Sequence, residues 1–497
     1  MLQKWNHLDT ATIVEPAEAI VLKPSEVIDP IKERKLRRKV DLRLMVWSFL
    51  AAFINMLDRN NMQNAYTNGM EEDLNLNSSI YNWAVTVFFI GYVITQIPAN
   101  MIIIRMRPNV FLPTCVIIWG AVLCFMSIVK DHKGLLALRF CLGVAEATLY
   151  PCIAFILGTW YTKEELSKRQ ALVDMGGPVA GAFGGMIGGA IAQNMQNAAG
   201  LRGWQWLFII EGLMAIVIGL SGYFLLPNYP HNTSWLSQEE RELAVARQAA
   251  QGKSIKSKPY SWTILWNVFA TPYAWIAMLT FACANMGNTI YTNFAIILRD
   301  MGYGSSFANY MTTPAYMFGV IVGMLIGWSS DRHSDYIVHL ILSQLWVGGW
   351  YLAMALVNHG NNPTPLVFIG TYAIAPTFAT VTLSLVGVNH IFKADHNTRA
   401  LAIGFINSVG MLAPNFINVR AWVVTDSPAF YTGKLTSMGM CFFSIPLVAL
   451  LWWLLRHNIM LPGATSDATS GDDNESMPSD DQGSCSKYGA VHRVTHP

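Results

Sequence analysis

Four charged side chains interrupt stretches of the sequence that are otherwise apolar. Asp58 and Arg59 lie in one such stretch, and Arg139 and Glu146 lie in another. A charged residue at the centre of a membrane helix costs about 2.5 to 3.5 kcal/mol on insertion scales, and such residues usually face a protein interior or an aqueous cavity. Because guanidinium groups bind carboxylates and carboxyl groups carry protons, these four residues are candidates for an anion and proton site.

The spacing of the four residues indicates how they can be arranged. Arg139 and Glu146 are seven positions apart, which places them on one helix face about 10 Å apart along the axis. Counted from the outer ends of their stretches, Arg59, Asp58, Arg139 and Glu146 lie about 10, 12, 8 and 18 Å deep. If the two helices face each other, we expect Asp58 to pair with Arg139, leaving Arg59 for a ligand and Glu146 for a proton. The alternative is that all four neutralise one another and stabilise the fold.

Glycines form a second pattern. Gly177, Gly181, Gly185 and Gly189 recur every four residues in the stretch 169–194. They predict a stripe without side chains, against which another helix can pack closely. In a protein whose parts rock, the same face would also serve as a sliding surface.

Other reactive residues give weaker signals. Asp174 and Glu211 are expected near helix ends, in a boundary or packing role. The sequence contains no HExxH, GxSxG or CxxC motif, and His390 and His396 flank a turn where solvation is the simpler interpretation. We therefore expect no enzyme activity, no cofactor and no metal site.

The composition indicates the environment of these residues. Of 497 residues, 53% are hydrophobic and only 13% are charged, with a mean hydropathy of +0.34. Soluble domains carry about 25% charged residues, so the chain is predicted to lie in a lipid bilayer. The net charge of +2 gives no indication of nucleic-acid binding.

Twelve stretches reach the roughly 20 apolar residues that a membrane helix needs. They lie at 44–66, 80–104, 110–129, 134–158, 169–194, 205–226, 271–297, 307–328, 336–357, 364–388, 400–423 and 435–456. We expect an all-α membrane protein with two six-helix bundles.

The distribution of lysine and arginine predicts the orientation. The basic run IKERKLRRKV precedes the first stretch, and the even-numbered connections carry most of the remaining Lys and Arg, which places both termini in the cytoplasm. The predicted organisation is a cytoplasmic tail (1–43), two bundles (44–226 and 271–456), a cytoplasmic central loop (227–270) and a disordered cytoplasmic tail (457–497). Within the loop, Ser237 and Glu240 form a capping-box pattern that predicts a short amphipathic helix.

Six motifs, in order, resemble one family. They are NMLDRNNMQNA, QIPANMIIIRMRP, LRFCLGVAEATLYPC, WYTKEELSKR, GWQWLFIIEG and LPNYPHNTSWLSQEE. With the six-plus-six pattern they resemble the major facilitator superfamily, and within it the fungal anion:cation symporters, which include allantoate, pantothenate, nicotinate and biotin transporters. The resemblance covers residues 40–456. It implies alternating-access transport of a small carboxylate, such as a vitamin or ureide, with protons as the coupling ion.

The resemblance also implies roles for individual residues. The first-span Arg59 would bind the substrate anion, while Arg139 and Glu146 of the fourth span would handle the proton. We further assign Arg139, Asn60, Asn285 and Tyr291 to the substrate site, and Asp58 to proton coupling.

A loop motif of the superfamily is only partly present. The segment GWSSDRHSDY retains Asp331 and Arg332, which are assigned to gating together with the glycine stripe. The matching loop of the first half, NMIIIRMRPN, has no Asp, which weakens the case for a two-sided charge latch.

The leading interpretation is a proton-coupled importer in the plasma membrane, monomeric, with the lipid bilayer and a small organic anion as its partners. An exporter or uniporter of the same fold and a nutrient sensor that no longer transports are the alternatives.

Overall fold

A computed structural model describes residues 29–76, 78–103, 106–250, 266, 268–333, 335–357, 364–391 and 396–456. The predicted tail 457–497, most of the N-terminal tail and the second part of the central loop lie outside these residues. The described residues form helices joined by short turns, with no β-strand among them.

The first half begins with α1, which continues through a π-helical turn (Asp41–Met45) into α2 and a second π-helical turn (Tyr66–Met70). Its helices are Pro30–Val40 (α1), Val46–Ala65 (α2), Glu71–Asp73 (α3), Ser78–Ile103 (α4), Pro108–Met126 (α5), His132–Glu146 (α6), Leu149–Trp160 (α7), Lys163–Asp174 (α8), Gly176–Asn194 (α9) and Gly203–Leu225 (α10), with a 3-10 turn at Ala198–Gly200.

The central helix α11 (Gln238–Ala250) precedes the second half. The helices of that half are Pro272–Met286 (α12), Thr289–Asp300 (α13), Ser305–Tyr310 (α14), Thr312–His333 (α15), Tyr336–Val357 (α16), Thr364–Ala373 (α17), Thr377–Ile391 (α18), His396–Ala421 (α19) and Tyr431–Arg456 (α20), with a 3-10 turn at Val424–Asp426.

Each of the twelve predicted membrane stretches is helical in the structure. Within the described residues, ten helices are long and apolar enough to cross a membrane. The second and seventh stretches are helical as well, over Ser78–Ile103 and over 272–300 with one break. The fold is therefore an all-α membrane protein of twelve transmembrane helices in two bundles.

Three of these helices are broken or kinked. The fourth breaks between Glu146 and Leu149, and the seventh breaks between Met286 and Thr289. The first kinks at Gly69, whose φ of 104° lies in the left-handed region that glycine tolerates. Broken membrane helices free backbone and side-chain polar groups, and in transporters they mark binding sites.

The ends of the bundle differ in their charge contacts. At the end that holds α1 and the start of α8, here called the basic end, the ion pairs join parts of the first half to each other and to α11. Arg169 makes a bidentate pair with Asp41, at 2.8 Å for both bonds. Arg247 of α11 bonds Glu33 at 2.8 Å and Glu165 at 2.9 Å. The central helix is thus bound to the first half.

The capping box predicted for α11 is present. The backbone N–H of Glu240 donates to Ser237 Oγ at 3.3 Å, and the backbone N–H of Ser237 donates to Glu240 Oε2 at 3.0 Å. Lys39 Nζ also bonds Glu240 Oε2, at 2.7 Å, which gives α11 a second link to α1.

At the opposite end, here called the acidic end (residues 66–73 and 299–309), the two halves are joined. Arg299 Nη2 bonds Glu71 Oε2 at 2.6 Å across the interface. Asn309 Nδ2 donates to Asn68 Oδ1 at 3.1 Å. Among the described residues, Arg299–Glu71 is the only ion pair between the halves, so this conformation is closed at the acidic end.

The glycine stripe lies between the halves. A Cβ atom added at Gly181, Gly185 or Gly189 would come within 2.6 Å of atoms of α14 or α15 in the second half. A Cβ atom at Gly177 would meet Met56 of the first half instead, at an ordinary 3.4 Å. Three of the four glycines therefore lie where α9 meets α14 and α15, and the contact between the halves ends before Gly177.

Candidate functional site

A cavity of about 250 Å³ lies between the two halves. It is lined by α2, α4 and α6 from the first half and by α12, α13 and α19 from the second. The lining residues are Met56, Arg59, Asn60, Met62, Gln63, Tyr81, Asn82, Val85, Phe88, Phe89, Arg139, Asn285, Asn288, Thr289, Thr292, Asn293, Met411, Pro414, Asn415, Asn418 and Trp422.

The cavity lining is chemically asymmetric. The first half contributes two guanidinium groups, those of Arg59 and Arg139, and the second half contributes amides, hydroxyls and apolar groups but no charge. Four of the residues assigned to a substrate site from sequence, namely Arg59, Asn60, Arg139 and Asn285, lie on this lining. A lining with two positive groups suits a ligand that is negative at one end and polar or apolar at the other.

Tyr291, the fifth residue assigned to the substrate site, does not line the cavity. Its side chain is 1% exposed and its hydroxyl donates to the backbone oxygen of Thr371 at 3.0 Å. Its ring packs against Tyr316 and Phe378 inside the second half. The next residue, Thr292, faces the cavity instead, because consecutive helical residues point about 100° apart.

Arg59 is held by a carboxylate. Its Nε donates to Glu146 Oε2 at 3.2 Å, and Asn55 Nδ2 donates to the same oxygen at 2.8 Å. The guanidinium also lies over the ring of Tyr92, 4.5 Å from its centroid. Glu146 is fully buried, and its second oxygen, Oε1, has no hydrogen-bond partner among the described residues. Glu146 therefore has one oxygen on Arg59 and one that can hold a proton.

Arg139 and Asp58 are not paired as the sequence analysis expected. No ion pair joins them among the described residues, and Arg139 Nε and Nη2 and both carboxyl oxygens of Asp58 lack hydrogen-bond partners there. Arg139 lies 6.0 Å above the Phe88 ring and faces the cavity. The pair that forms is Arg59–Glu146. The partners depend on the rotation of each helix about its axis, and the apolar stretches do not define that rotation.

Glu211 also differs from its expected role near a helix end. It lies eight residues after the first residue of α10, Gly203, and is fully buried. Neither of its carboxyl oxygens has a hydrogen-bond partner among the described residues. The charge that acts on it is that of Arg139. Glu211 therefore joins Asp58, Arg139 and Glu146 as a buried charged residue of the first half, and Arg59 is partly buried beside Glu146.

The gating residues lie away from the cavity. Asp331 and Arg332 are exposed at the end of α15, and the Arg332 guanidinium lies 5.9 Å above the Trp328 ring. Neither forms an ion pair with another described residue. A charge latch between the halves is thus not formed in this conformation.

Sequence reasoning missed most of the amides that line the cavity. Gln63, Asn82, Asn288, Asn415 and Asn418 all lie on it. A usable signal exists, because Asn285, Asn288 and Asn415, Asn418 are each three residues apart in apolar stretches, which places both members on one helix face.

The arrangement of side chains can bind an anion and a proton. Arg139 offers unpaired N–H donors at the cavity, and Glu146 bonds the second guanidinium, that of Arg59. Within the described ranges, no three His, Cys, Asp or Glu side chains are placed to hold a metal ion.

Comparison with known proteins gives consistent findings. The family model described as Major Facilitator Superfamily matches residues 48–417. The pantothenate transporter liz1 of Schizosaccharomyces pombe is 33% identical, over 84% of this chain and 82% of its own. The MFS-type transporter cnsO of Penicillium expansum is 29% identical, over 87% and 85%. The structure of a bacterial homologue of the human lysosomal transporter Spinster, inward-facing and occupied, matches with a TM-score of 0.62 at 16% identity, covering 85% of this chain and 98% of that one.

Proposed function

Because this chain belongs to the major facilitator superfamily, we propose that it is a secondary active transporter that imports a small organic carboxylate together with protons. The observation that carries the proposal is the pairing of Arg59 with Glu146 at the wall of a cavity that also exposes Arg139. One group of residues thereby offers both an anion site and a proton site.

The anion binds to the guanidinium groups. Arg139 has donors without partners, and a guanidinium presents a planar fork that matches a carboxylate. The uncharged amides of the second half, such as Asn285 and Asn418, take the polar remainder of the ligand. The relative named a pantothenate transporter supports this class of substrate, since pantothenate is a carboxylate.

The proton acts through Glu146. While Glu146 is ionised, its Oε2 holds Arg59. A proton that moves from water in the cavity to a Glu146 oxygen removes the negative charge, which releases Arg59 to the substrate carboxylate. When the proton leaves, Glu146 competes again for Arg59 and the anion is released. Proton and anion therefore bind together and leave together.

The membrane potential explains why coupling is useful. Entry of a monoanion into a cell at −100 mV is unfavourable by about 2.3 kcal/mol. One accompanying proton makes the transfer electrically neutral, and a second makes it favourable. We place the protein in the plasma membrane with its basic end and both termini in the cytoplasm, because the basic run of α1 lies there. The acidic end then faces the exterior, so the conformation that is closed at this end is closed to the exterior.

The test is transport by the purified full-length protein in lipid vesicles. Radiolabelled pantothenate, nicotinate, biotin and allantoate are offered singly, with and without an imposed pH gradient. We expect one of them to accumulate only when the gradient is present. Glu146→Gln, which copies the protonated acid, should abolish accumulation but retain exchange of labelled for unlabelled substrate.

Arg59→Lys keeps the charge but loses the fork, and we expect a tenfold to hundredfold weaker apparent affinity, which corresponds to roughly 1.5 to 3 kcal/mol for a charge-assisted hydrogen bond. Arg34→Lys is the matched control, because Arg34 is exposed on α1 and is not part of the cavity lining. Accumulation that does not respond to the pH gradient would favour a uniporter. Unchanged accumulation by Glu146→Gln would contradict the proton site.

A further inference from the structure

Glu211 has no part in the transport cycle described above, although it is buried in the same half. Its carboxyl is 0% exposed and neither oxygen is hydrogen-bonded within the described chain. Asp58 on α2 is in the same state, 0% exposed and with both oxygens unbonded. Unpaired buried carboxylates are costly, by several kcal/mol each in proteins. These two lie on packed helices and interact electrostatically, so their burial requires an explanation.

A close helix contact places Glu211 in the bundle. The helices α5 and α10 touch through Gly120 and Gly212: a Cβ atom at Gly212 would lie 2.6 Å from the Gly120 backbone oxygen, and one at Gly120 would lie 2.8 Å from the Gly212 oxygen. Glu211 directly precedes Gly212, so its position is fixed by backbone contact and not by a loop. α10 also packs along α2, the helix that carries Asp58.

The charges around Glu211 can be counted from the helices packed on α10. Neither α5 nor α9 contains a charged residue, and α2 contains only Asp58 and Arg59. The π-helical turn that follows α2 contributes Tyr66, which is not charged. From α6, Arg139 interacts electrostatically with Glu146, which is paired with Arg59, and with Asp58 and Glu211, which have no ion pair among the described residues. Glu211 thus has one nearby acid and one cation of α6 that attracts it.

The count leaves one negative charge without a counter-ion. Arg59 and Glu146 form their own ion pair. Arg139 then faces two carboxyls, those of Asp58 and Glu211, and can neutralise only one. A single proton on either carboxyl makes the three-residue group neutral, which removes most of the cost of burying it.

We propose that Glu211 and Asp58 hold one proton in common beside Arg139, and that they form a second proton-binding site distinct from Glu146. The shared proton removes one of the two negative charges next to Arg139. The N–H donors of Arg139 therefore stay available at the cavity. When an anion binds to Arg139, less positive charge is left for the two acids, and their hold on the shared proton tightens. This role in coupling rests on the proposed function, whereas the existence of the shared proton does not.

Infrared spectroscopy of the full-length protein in lipid vesicles tests the site directly, with the proton itself as probe. Protonated carboxyl groups absorb apart from carboxylates, and buried ones shift in D₂O. We expect such a band at neutral pH in the wild type. It should disappear in Glu211→Gln and in Asp58→Asn, because one carboxyl then remains for the one guanidinium of Arg139. It should persist in Glu146→Gln, because Asp58, Glu211 and Arg139 are unchanged there and the released Arg59 lines the cavity.

Two further variants make the assignment specific. Glu211→Asp keeps a carboxyl and should keep the band, while Asp174→Asn removes an exposed acid of α8 and should change nothing. If Glu211→Gln does not fold, Asp58→Asn reports on the same proton. A band unchanged in Glu211→Gln and Asp58→Asn, or absent from the wild type, would overturn the proposal. A wild type that shows the band but moves no carboxylate with protons would overturn the proposed function instead.

Discussion

The stripe of glycines between the halves gives a prediction about which end of the carrier is open. In Gly185→Ala the new Cβ atom would lie 2.6 Å from the backbone oxygen of Asn309 in α14, and still closer to Thr312 Oγ1. A hydroxyl can rotate away, but a backbone carbonyl cannot. Ordinary contact begins at 3.4 Å, so α9 and α14 must separate by at least the difference, 0.8 Å.

The cost applies to one conformation only. Overpacking of this kind costs about 1 to 3 kcal/mol, and it is removed when the halves part at the acidic end. Since 1.4 kcal/mol is a factor of ten in an equilibrium constant, the conformation that is open at the acidic end should gain roughly fivefold to a hundredfold in population relative to the closed one. Gly177→Ala is the matched control, because its Cβ atom meets only Met56 of the same half at 3.4 Å.

A cysteine at Thr86 reports the opening. Thr86 is fully buried, and its hydroxyl donates to the Asn415 backbone oxygen of the other half at 3.2 Å. In a background without the exposed Cys141, Thr86→Cys should react slowly with a membrane-impermeant thiol reagent added from the acidic side. Gly185→Ala should raise that rate at least fivefold, and Gly177→Ala should leave it within about twofold. Equal rates in the two alanine variants would refute the reasoning that the stripe holds this end closed.

Two further predictions concern the ends of the bundle. Arg299→Gln removes the ion pair with Glu71 between the halves. Because both side chains are partly exposed, at 22% and 35%, we expect the equilibrium to shift by at most about 1 kcal/mol toward the conformation that is open at the acidic end. The same thiol assay measures the shift, and a slower reaction than in the wild type would contradict the prediction. Glu165→Gln removes bonds to two arginines of α1 and α11 and should lower the unfolding free energy at neutral pH by roughly 1 to 2 kcal/mol. Burial alone would raise the pKa of Glu165, but Arg37 and Arg247 outweigh it and hold that pKa below its usual 4.5. The stabilisation is therefore complete above about pH 4.5 and is lost as the pH falls through the lowered pKa of the folded state. Melting curves of wild type and variant should converge at acid pH, and a gap that widens there would reverse the assigned sign.

The twelve helical stretches could be predicted because burial in lipid demands long apolar runs, which the sequence displays directly. The capping box of Ser237 and Glu240 was predictable for a similar reason, since it is a local contact. The break after Glu146 and the kink at Gly69 were not predicted. The break leaves the apolar run of the fourth stretch uninterrupted, and the kink lies beyond the first stretch, so the apolar pattern indicates neither.

The residues of the site could be predicted from the sequence better than their partners. The cost of burying charge identifies Arg59, Arg139 and Glu146, and these residues lie close together in the structure. The predicted partners were wrong because a difference of one residue rotates a side chain by about 100°, as the exchange of Tyr291 for Thr292 at the cavity also shows. Glu211 directly precedes Gly212, which packs against α5 as Gly219 does one heptad later, and this glycine pattern was not used in the sequence analysis.

The attachment of α11 determines how the two halves are connected mechanically. Arg247 and Lys39 fasten this helix to the first half, so it travels with that half as a rigid extension. The described chain resumes at residue 266, and Val268 is already buried against the second half. The fifteen residues from 251 to 265 join the two bodies, and at about 3.3 Å per residue they can span roughly 50 Å. That is more than the roughly 40 to 45 Å thickness of a bilayer, so the connection is too long to limit the motion. The amplitude of rocking is therefore set by the surfaces that meet between the halves, and not by the length of the connection.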